Sequence, residues 1–448
     1  MLSIVDEYVA KHRKSEEQFR LAKEIFPSGV THDTRYMTPF PLYISHAKGA
    51  RKWDIQGNEL VCYVMGHGAL LLGHSHPVMV SAVRRQIGLG THLGSNSLQE
   101  VEWGTAVKRL MSSIEKIRFV SSGTEATLMA LRLSRAFSKK SRIVKFRNHF
   151  HGWHDYVISE AGKYSSTGIP EAVTRSTIIL DDDKIEGVER VLESDDDIAG
   201  VILEPTGAMM GCLPISGEFL HQLRDLCTRH GAVLIFDEVV TGFRVSRGGA
   251  QQHFGVKPDL TALGKILGGG LPGAAIGGRA DILDLISFHE DSKWNASARV
   301  SHPGTFNANP LAAVSGTACL KLVATSTCCE DAERAATRLQ EGLNRALASA
   351  HVPGLAYRSS SFVWILLGSE YQGRDSVSSL PRDTIKHSLQ SPAMGLLKKA
   401  MLNEGVHMMG TAQFIVSAVH GNREIEDTVQ AFEKVLQRMK KEDAFDTV

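Results

Sequence analysis

Two side chains of opposite charge, Lys265 and Asp237, end strand-like segments at positions suited to cofactor chemistry. Lys265 ends the run 259–265 and leads into a glycine-rich stretch, and Asp237 closes the apolar run 233–237. An amine of this kind forms a Schiff base with an aldehyde, and a carboxylate at a strand end keeps a pyridine nitrogen protonated. Pyridoxal 5'-phosphate requires both groups, so the pair predicts an enzyme that uses this cofactor.

Each residue of this pair also has an ordinary structural interpretation. Burial lowers the pKa of a lysine toward the range in which the free amine attacks a carbonyl, which suits Lys265; the alternative is a surface lysine that opens a helix. Asp237 stands where open α/β sheets bind ligands at the carboxyl ends of their strands. It could instead cap a turn, a role that is open to Glu238 as well.

A candidate anion site follows another strand-like segment, residues 117–120. Ser122, Gly123 and Thr124 open a predicted helix there, so backbone N–H groups and hydroxyls would face an anion such as the cofactor phosphate. A Ser-Gly-Thr sequence is also a common N-cap. The chain contains no Gly-x-x-x-x-Gly-Lys-Ser/Thr motif, and the glycines of 264–270 do not form a nucleotide fingerprint, which disfavours a P-loop enzyme or a Rossmann dehydrogenase.

Composition sets limits on compartment and partners. The 448 residues carry 50 basic and 49 acidic side chains, which leaves no electrostatic basis for binding nucleic acid or an anionic membrane. The cysteines show no Cys-x-x-Cys spacing, the N-terminus lacks the features of a signal peptide, and no apolar run reaches the roughly 20 residues of a membrane span. These features predict a cytoplasmic enzyme that acts on small molecules.

The periodicity of apolar residues predicts an α/β architecture. An amphipathic helix is predicted over 4–26 and short strands joined by glycine turns over 41–64. In the middle of the chain short strands alternate with helices, as in a mostly parallel sheet covered on both faces. A helical run over 310–347, a strand-like stretch over 355–367 and a last helix over 422–441 indicate a separate α+β lobe.

Four segments in register resemble class III aminotransferases. They are Ser-Ser-Gly-Thr-Glu-Ala (121–126), Phe-Asp-Glu-Val-Val-Thr-Gly-Phe-Arg (236–244), Leu-Gly-Lys-Ile-Leu-Gly-Gly-Gly-Leu-Pro (263–272) and Gly-Thr-Phe-Asn-Ala-Asn-Pro (304–310). The likeness is strongest to the glutamate-1-semialdehyde aminomutase branch. Within that branch, the D-phenylglycine aminotransferase group shares Gly-His-Gly-Ala-Leu (66–70) and His-Gly-Trp-His-Asp (151–155).

The resemblance implies fold type I of the pyridoxal-phosphate enzymes, with a mostly parallel seven-stranded sheet in a large domain and a smaller α+β lobe from both ends of the chain. The expected boundaries are 1–74 and 321–448 for the two parts of the small domain and 75–320 for the large domain. The resemblance also implies a homodimer with shared active sites, in which Thr305 reaches the cofactor phosphate of the neighbouring subunit. A turn hydroxyl that is bonded locally is the alternative for Thr305.

The resemblance further assigns residues around the cofactor ring. Phe150 and His151 belong to an aromatic-His-Gly sequence whose aromatic ring would stack on one face of the pyridine, with Val239 on the other face. Many relatives have tyrosine at this position, and phenylalanine keeps the stacking. His149 and His154 stand nearby, but no spaced carboxylate or cysteine accompanies these histidines, so no metal is predicted.

Four other positions bear on substrate and reaction. Glu204 matches a glutamate beside the active site of the relatives, although it could be an ordinary buried, paired carboxylate. Met209 stands where the aminomutases have an asparagine near the cofactor hydroxyl, and their glutamate near the C-terminus is replaced around residues 412–414 (Ala-Gln-Phe). Arg35 falls where aminomutase-like enzymes bind the substrate carboxylate through an arginine.

The predicted reaction is ping-pong transamination. Lys265 would anchor the cofactor and move a proton at the substrate Cα. An amino acid, possibly a D-, aromatic or β-amino acid, would donate the amine, and a 2-oxo acid would accept it. The alternatives are a glutamate-1-semialdehyde-type 2,1-aminomutase, an amino-acid racemase or epimerase on the same fold, and a non-enzymatic cofactor-binding protein.

Overall fold

The computed structural model describes residues 2–159, 166–181, 184–371, 373–374, 376–378, 380–410 and 412–445. The chain divides into two compact units. The first comprises Met1–His76 with Glu330–Val448, and the second comprises Pro77–Cys329. The domain boundaries predicted from the sequence fall after residues 74 and 320.

Strands and helices alternate through the middle of the chain. The strands are β1 (Ile44–Lys48), β2 (Arg51–Asp54), β3 (Glu59–Cys62), β4 (Lys116–Val120), β5 (Arg142–Phe146), β6 (Thr177–Leu180), β7 (Ile198–Leu203), β8 (Leu213–Pro214), β9 (Val233–Glu238), β10 (Leu260–Leu263), β11 (Ala274–Gly278), β12 (Gly354–Ser359), β13 (Phe362–Leu367), β14 (Val406–His407) and β15 (Gln413–Ile415). The α-helices are α1 (Ile4–Lys11), α2 (Arg13–Ile25), α3 (Pro77–Ile87), α4 (Leu98–Leu110), α5 (Gly123–Ser138), α6 (Glu171–Thr174), α7 (Ile185–Ser194), α8 (Ala208–Gly211), α9 (Gly217–His230), α10 (Gly249–Phe254), α11 (Ala280–Leu283), α12 (Ser292–Ser297), α13 (Pro310–Thr325), α14 (Cys328–Ser349), α15 (Arg382–Gln390), α16 (Pro392–Asn403) and α17 (Asn422–Lys441).

The second unit is built on a seven-stranded sheet with the order β4-β11-β10-β9-β7-β5-β6. Strands β10, β9, β7, β5 and β6 pair in parallel, and β11 runs antiparallel to both of its neighbours. The predicted mostly parallel seven-stranded sheet is therefore confirmed. Because the carboxyl ends of parallel strands meet at one edge, the residues that follow β4, β5, β7, β9 and β10 share that edge.

Helices cover both faces of this sheet, as the continuous apolar strands require. Alternate residues of β9 point to opposite faces: Ile235 packs in a cluster with Leu131 of α5, and Phe236 packs in a cluster with Leu223 of α9. All four side chains are fully buried. Each contributes roughly 1.5–3 kcal/mol by burial, so the central strand that carries Asp237 is firmly held.

The first unit contains two smaller sheets, with the orders β1-β2-β3-β14 and β12-β13-β15. Strand β14 pairs in parallel with β3, which joins the two chain segments of the unit. Its largest apolar cluster includes residues of α14, α16, α17 and β13. The helices and strands of this unit form an α+β arrangement.

The single helix predicted over 4–26 is wrong, because the chain breaks into α1 and α2 at His12. The backbone of His12 has φ −126° and ψ 36°, outside the helical range. Its buried Nδ1 lies 2.8 Å from Oδ2 of Asp54, which is buried as well. The buried Asp54 carboxylate gains a hydrogen-bond partner in this way, and the helix is interrupted at His12.

No single helix in the described part of the chain is long and apolar enough to cross a membrane. One bent pair, α13 with α14, meets that criterion only when the two helices are taken together.

Candidate active site

A cavity of about 280 Å³ opens at the edge of the seven-stranded sheet where the parallel strands end. Each of the loops after β4, β5, β7, β9 and β10 contributes to its lining. The sequence-predicted residues that line it are Ser122, Gly123, Thr124, Phe150, His151, Glu204, Asp237, Val239 and Lys265. The sheet topology thus gathers nine of the predicted residues from five separate segments.

Lys265 follows the end of β10 and begins a short 3₁₀ helix, Lys265–Gly268. Its backbone is left-handed, with φ 51°, a conformation that costs energy for a residue other than glycine. Burial lowers the pKa of the amine, while the negative charges of Asp237 and Glu204 oppose that shift. A buried amine with a lowered pKa is more often uncharged, and the uncharged form is the nucleophile.

Asp237 lies on β9, where it pairs in register with Ala262, three residues before Lys265. Its carboxylate is 6% exposed and accepts the Val239 N–H at 3.1 Å through Oδ1. Burial raises its pKa to about 6, although the Val239 N–H and the Lys265 amine favour the charged form. The carboxyl therefore titrates close to neutrality.

His151 holds the other oxygen of this carboxylate. Its Nδ1 lies 2.8 Å from Oδ2 of Asp237, so the ring donates from Nδ1 and is neutral, because burial lowers its pKa well below the usual value. Its Nε2 is buried and has no hydrogen-bond partner among the described residues. The imidazole thus fixes the orientation of the Asp237 carboxylate within the cavity.

Glu204 follows β7 and binds three backbone amides. Its Oε1 accepts the N–H of Phe150 at 2.9 Å and of Met209 at 3.2 Å, and its Oε2 accepts the N–H of Met210 at 2.9 Å. Met209 and Met210 are left-handed, with φ 54° and 64°, so the turn needs external support. The carboxylate holds Phe150 and this turn in place, and the Met209 side chain has no N–H or O–H to donate.

Replacing Glu204 by glutamine is expected to destabilise the protein by about 2 kcal/mol. Glutamine has one side-chain oxygen, and its NH₂ group cannot accept the backbone N–H groups that the other carboxylate oxygen binds. Chemical denaturation followed by fluorescence measures this loss. Glu218→Gln is the matched control, since this exposed glutamate on α9 contacts only Gln222 through its side chain among the described residues. Equal stability of Glu204→Gln and wild type would contradict the supporting role.

The start of α5 provides N–H donors to the cavity. Ser122 is the N-cap, and Oε2 of Glu125 accepts the N–H groups of Ser121 at 2.6 Å and Ser122 at 3.2 Å. The N–H groups of Gly123 and Thr124 belong to the first turn, which has no intrahelical acceptor for them. A 16-residue helix also places positive potential at this end, so the site favours an anion.

Glycine at position 123 allows a close approach between this helix start and the loop that follows β9. A Cβ on Gly123 would lie 2.8 Å from Cγ1 of Val239, closer than side chains tolerate. Val239 therefore sits directly against the helix start, while the ring of Phe150 is 43% exposed. The cavity consequently has apolar side chains from two loops beside its polar groups.

Two predicted residues lie elsewhere. Thr305 is exposed and does not line this cavity; its carbonyl accepts a hydrogen bond from Nε2 of His92 at 2.6 Å. Arg35 belongs to the first unit, where it lines another cavity and donates to Oγ1 of Thr31 at 2.8 Å. The role of His149, whose Nδ1 accepts the Glu204 N–H at 2.9 Å, was not predicted, because nothing in the sequence spacing indicates that bond.

The gathered groups suit one kind of ligand. A buried amine can condense with an aldehyde, a buried carboxylate can bind a protonated ring nitrogen, and a helix N-terminus can bind phosphate. The three lie in one cavity of the second unit.

Comparisons with known proteins agree with this chemistry. The model of the family "Aminotransferase class-III" matches residues 33–357. The glutamate-1-semialdehyde 2,1-aminomutase of Thermodesulfovibrio yellowstonii is 37% identical over 443 residues, which cover 96% of this chain and 100% of the relative. An omega-transaminase from Sphaerobacter thermophilus has a TM-score of 0.84 and 31% identity, and the match covers 95% of this chain and 98% of that one. A structure of a transaminase with PLP bound has a TM-score of 0.84 and 30% identity, covering 96% and 98%.

Proposed function

The chain belongs to the class III aminotransferase family, and we propose that it moves an amino group from an amino acid to a 2-oxo acid by ping-pong transamination. The observation that carries the proposal is the meeting of Lys265, Asp237 and the α5 N-terminus in one cavity. The substrates are small molecules, as is typical of this family.

The cofactor is pyridoxal 5'-phosphate, and the cavity residues fit it. Lys265 would bind the aldehyde carbon and Asp237 the ring nitrogen. Ser122, Gly123 and Thr124 would bind the phosphate at the start of α5. The fit is chemical as well as topological, because the lowered pKa of the buried amine suits attack on a carbonyl.

When bound, the cofactor supplies an electron sink that makes the substrate Cα–H bond acidic. The Asp237 carboxylate keeps the proton on the ring nitrogen, and His151 holds that carboxylate in position. The free Lys265 amine would take the proton from the substrate Cα atom and serve as general base. Phe150 and Val239 would pack on the two faces of the ring and keep water away from it.

The raised pKa of Asp237 leads to an expected pH dependence. A proton on this carboxyl competes with the cationic ring nitrogen, so the affinity of cofactor-free protein for pyridoxal phosphate should be full above a pKa of about 6 and should fall as the pH drops through that value. Fluorescence titration measures this affinity at each pH. The range from pH 5 to pH 8 extends about one to two units to either side of that pKa. The dependence should be weaker in Asp237→Asn, where only the phosphate of the cofactor still titrates in this range; an equal slope in that variant would contradict the assignment.

We also propose a homodimer in which Thr305 serves the phosphate site of the neighbouring subunit. Thr305 is exposed beside Phe306, which is 59% exposed and contacts the His92 ring edge-on. Further exposed apolar side chains stand near His92 in the sequence: Ile87, Leu89, Leu93, Leu98 and Val101. An apolar surface of this kind favours burial against a second chain, which sedimentation velocity would detect.

For the substrate carboxylate we propose Arg35. The guanidinium lines a cavity of the first unit and suits bidentate binding. Arg35→Ala is expected to raise KM for carboxylate substrates by about 10- to 100-fold with a smaller change in kcat, which steady-state kinetics measures. An unchanged KM would refute this assignment.

A second candidate function is intramolecular amine transfer, as in a 2,1-aminomutase. The relative that is 37% identical is named glutamate-1-semialdehyde 2,1-aminomutase, whereas the omega-transaminase structure is 31% identical. The higher identity favours intramolecular amine transfer. Two positions of this chain argue the other way. Met209 replaces an asparagine of the aminomutases and offers no side-chain donor, and the buried residues 412–414 (Ala-Gln-Phe) stand in the region where their glutamate is replaced.

The two functions predict different products. The holoenzyme is mixed with D-, L- and β-amino acids plus a 2-oxo acid, and separately with glutamate 1-semialdehyde alone. Transamination predicts that a new oxo acid appears in proportion to donor consumed and that the cofactor is left as the amine form when no acceptor is present. An isomer of the substrate without any oxo acid would favour the aminomutase or a racemase instead.

A further inference from the structure

Three hydrogen-bond donors converge on the sulfur of Cys62 in the first unit. Nε2 of His74 lies 3.4 Å from Cys62 Sγ, and the Lys52 amine and the backbone N–H of Met65 also hydrogen-bond this sulfur. Cys62 is only 1% exposed. Hydrogen-bond donors favour the charged form of the group that accepts from them, so this arrangement stabilises a thiolate.

The pairing of β2 with β3 places Lys52 and Cys62 on one face of their sheet. Lys52 stands opposite Leu60 in the antiparallel register, and Cys62 follows Leu60 by two residues. Residues two apart on a strand share a face, and a long side chain reaches its diagonal neighbour on the next strand. Lys52 is 6% exposed and lines the cavity of the first unit, so its side chain contacts both this cavity and the sulfur.

The charges of the two side chains depend on each other. Burial alone would raise the pKa of the Cys62 thiol, but the positive charge of Lys52 and the hydrogen bond from His74 lower it to about 7. Burial lowers the pKa of the Lys52 amine, and the negative charge of Cys62 opposes that shift. If the sulfur loses its negative charge, burial dominates, and the amine then favours its uncharged, nucleophilic form.

We propose that Cys62 is a peroxide-sensitive thiolate that closes into a covalent S–N bond with Lys52. In the first step the thiolate attacks one oxygen of hydrogen peroxide, so that an S–O bond forms and the O–O bond breaks. The sulfur is oxidised by two electrons to a sulfenic acid, and the peroxide is reduced. The second oxygen leaves as hydroxide and takes a proton from the Lys52 ammonium, which gives water and a free amine.

The second step needs no further oxidant. The uncharged Lys52 amine attacks the sulfur of the sulfenic acid, the S–N bond forms, and the S–O bond breaks. The hydroxyl leaves with a proton of the amine as a second molecule of water. This modification site goes beyond the proposed transamination, because neither residue lines the active-site cavity of the second unit.

Two other buried cysteines provide an internal comparison. Burial raises the pKa of Cys227 and of Cys319 to about 12, so both are thiols at neutral pH. Thiolates react with peroxide and thiols do so poorly. We therefore expect Cys62 to be oxidised before Cys227 and Cys319.

Peptide mapping of the holoenzyme tests the proposal. The protein is treated with equimolar hydrogen peroxide, unfolded with iodoacetamide to block free thiols, and digested with trypsin without reductant. Trypsin cleaves after Lys52 when its amine is free and gives peptide 53–84 with alkylated Cys62. An amine bonded to sulfur blocks that cleavage, so peptide 52–84 should appear, lighter by two hydrogen atoms than its unmodified counterpart. Dithiothreitol added before unfolding should restore cleavage, because a thiol reduces the S–N bond.

Two substitutions separate the charge of Lys52 from its nucleophilicity. Lys52→Arg keeps the positive charge, but a guanidinium is not deprotonated, so the sulfenic acid should accumulate and be labelled by dimedone without a cross-link. Lys52→Met should slow the oxidation of Cys62 by at least about tenfold, because the pKa of the thiol rises. Lys48→Met, at an exposed position on β1, is the matched control and should form the cross-link as wild type does.

The wild-type map decides the question even if a Lys52 variant does not fold. Absence of peptide 52–84, or Cys62 carrying two or three added oxygen atoms in a peptide that still begins at residue 53, would overturn the S–N bond. Oxidation of Cys227 or Cys319 before Cys62 would overturn the thiolate assignment. Loss of the cross-link in Lys48→Met would show that the lysine beside Cys62 is not its specific partner.

Discussion

Replacing Lys265 by alanine is expected to lower kcat/KM for amino-group transfer by at least about 10⁴-fold, the upper range for one general base. The variant loses both the covalent attachment to the cofactor and the base that moves the Cα proton. Steady-state formation of the oxo acid measures the change. Its cofactor should remain bound non-covalently, because Asp237 and the α5 N-terminus are intact.

Lys257→Ala is the control for this experiment. That lysine precedes β10 and is 61% exposed, and its amine lies 3.9 Å from a Glu115 oxygen in a surface ion pair worth little. The Lys257→Ala enzyme should have the activity of wild type. If Lys265→Ala kept kcat/KM within tenfold of wild type, another base would have to carry the reaction.

Replacing Asp237 by asparagine should lower kcat/KM by about 10²- to 10³-fold, as expected when one preorganised electrostatic group is removed. Asparagine keeps the shape of the side chain and can still accept the Val239 N–H, but it carries no charge to hold the ring nitrogen protonated. The electron sink is therefore weakened while the cavity remains. Single-turnover kinetics with saturating amino acid reports the loss at the proton-transfer step.

Stability separates this chemical role from a structural one. Burial raises the pKa of Asp237 to about 6, so folding disfavours its charged form when no cofactor is bound. The cofactor-free asparagine variant should therefore be at least as stable to thermal unfolding as wild type. Asp225→Asn, at an exposed position on α9, is the control and should leave both properties unchanged. An Asp237→Asn enzyme of wild-type activity would contradict the assignment.

Much of the cavity could be predicted because its residues follow directly from strand ends. The strand-like segment 117–120 lies within β4, and the helix predicted to open at Ser122–Thr124 is α5. Once a parallel sheet is inferred, the loops after its strands must share an edge. Local sequence thus placed Ser122, Asp237 and Lys265 near one another although 143 residues separate the first from the last.

Features that depend on distant partners could not be predicted. The break at His12 exists because Asp54 binds its ring, and nothing within 4–26 indicates that pairing. Strand β6 was not predicted, because all of its residues are partly exposed and show no apolar alternation. The turn at Met209 and Met210 adopts left-handed backbone that methionine disfavours, and it depends on the Glu204 carboxylate.

Two assignments made from the resemblance depend on more than the second unit. Thr305 lies outside the cavity of its own chain, as a residue acting on a neighbouring subunit would, and its role stays a prediction. The same holds for Arg35, whose cavity belongs to the first unit.

Chemical trapping of the cofactor on the protein tests most directly whether Lys265 forms the Schiff base. Holoenzyme is reduced with borohydride, digested and analysed by peptide mass mapping. If Lys265 holds the cofactor, the pyridoxyl label is found on Lys265, in the peptide that contains Gly264. A label on another side chain, or no label at all, would contradict it.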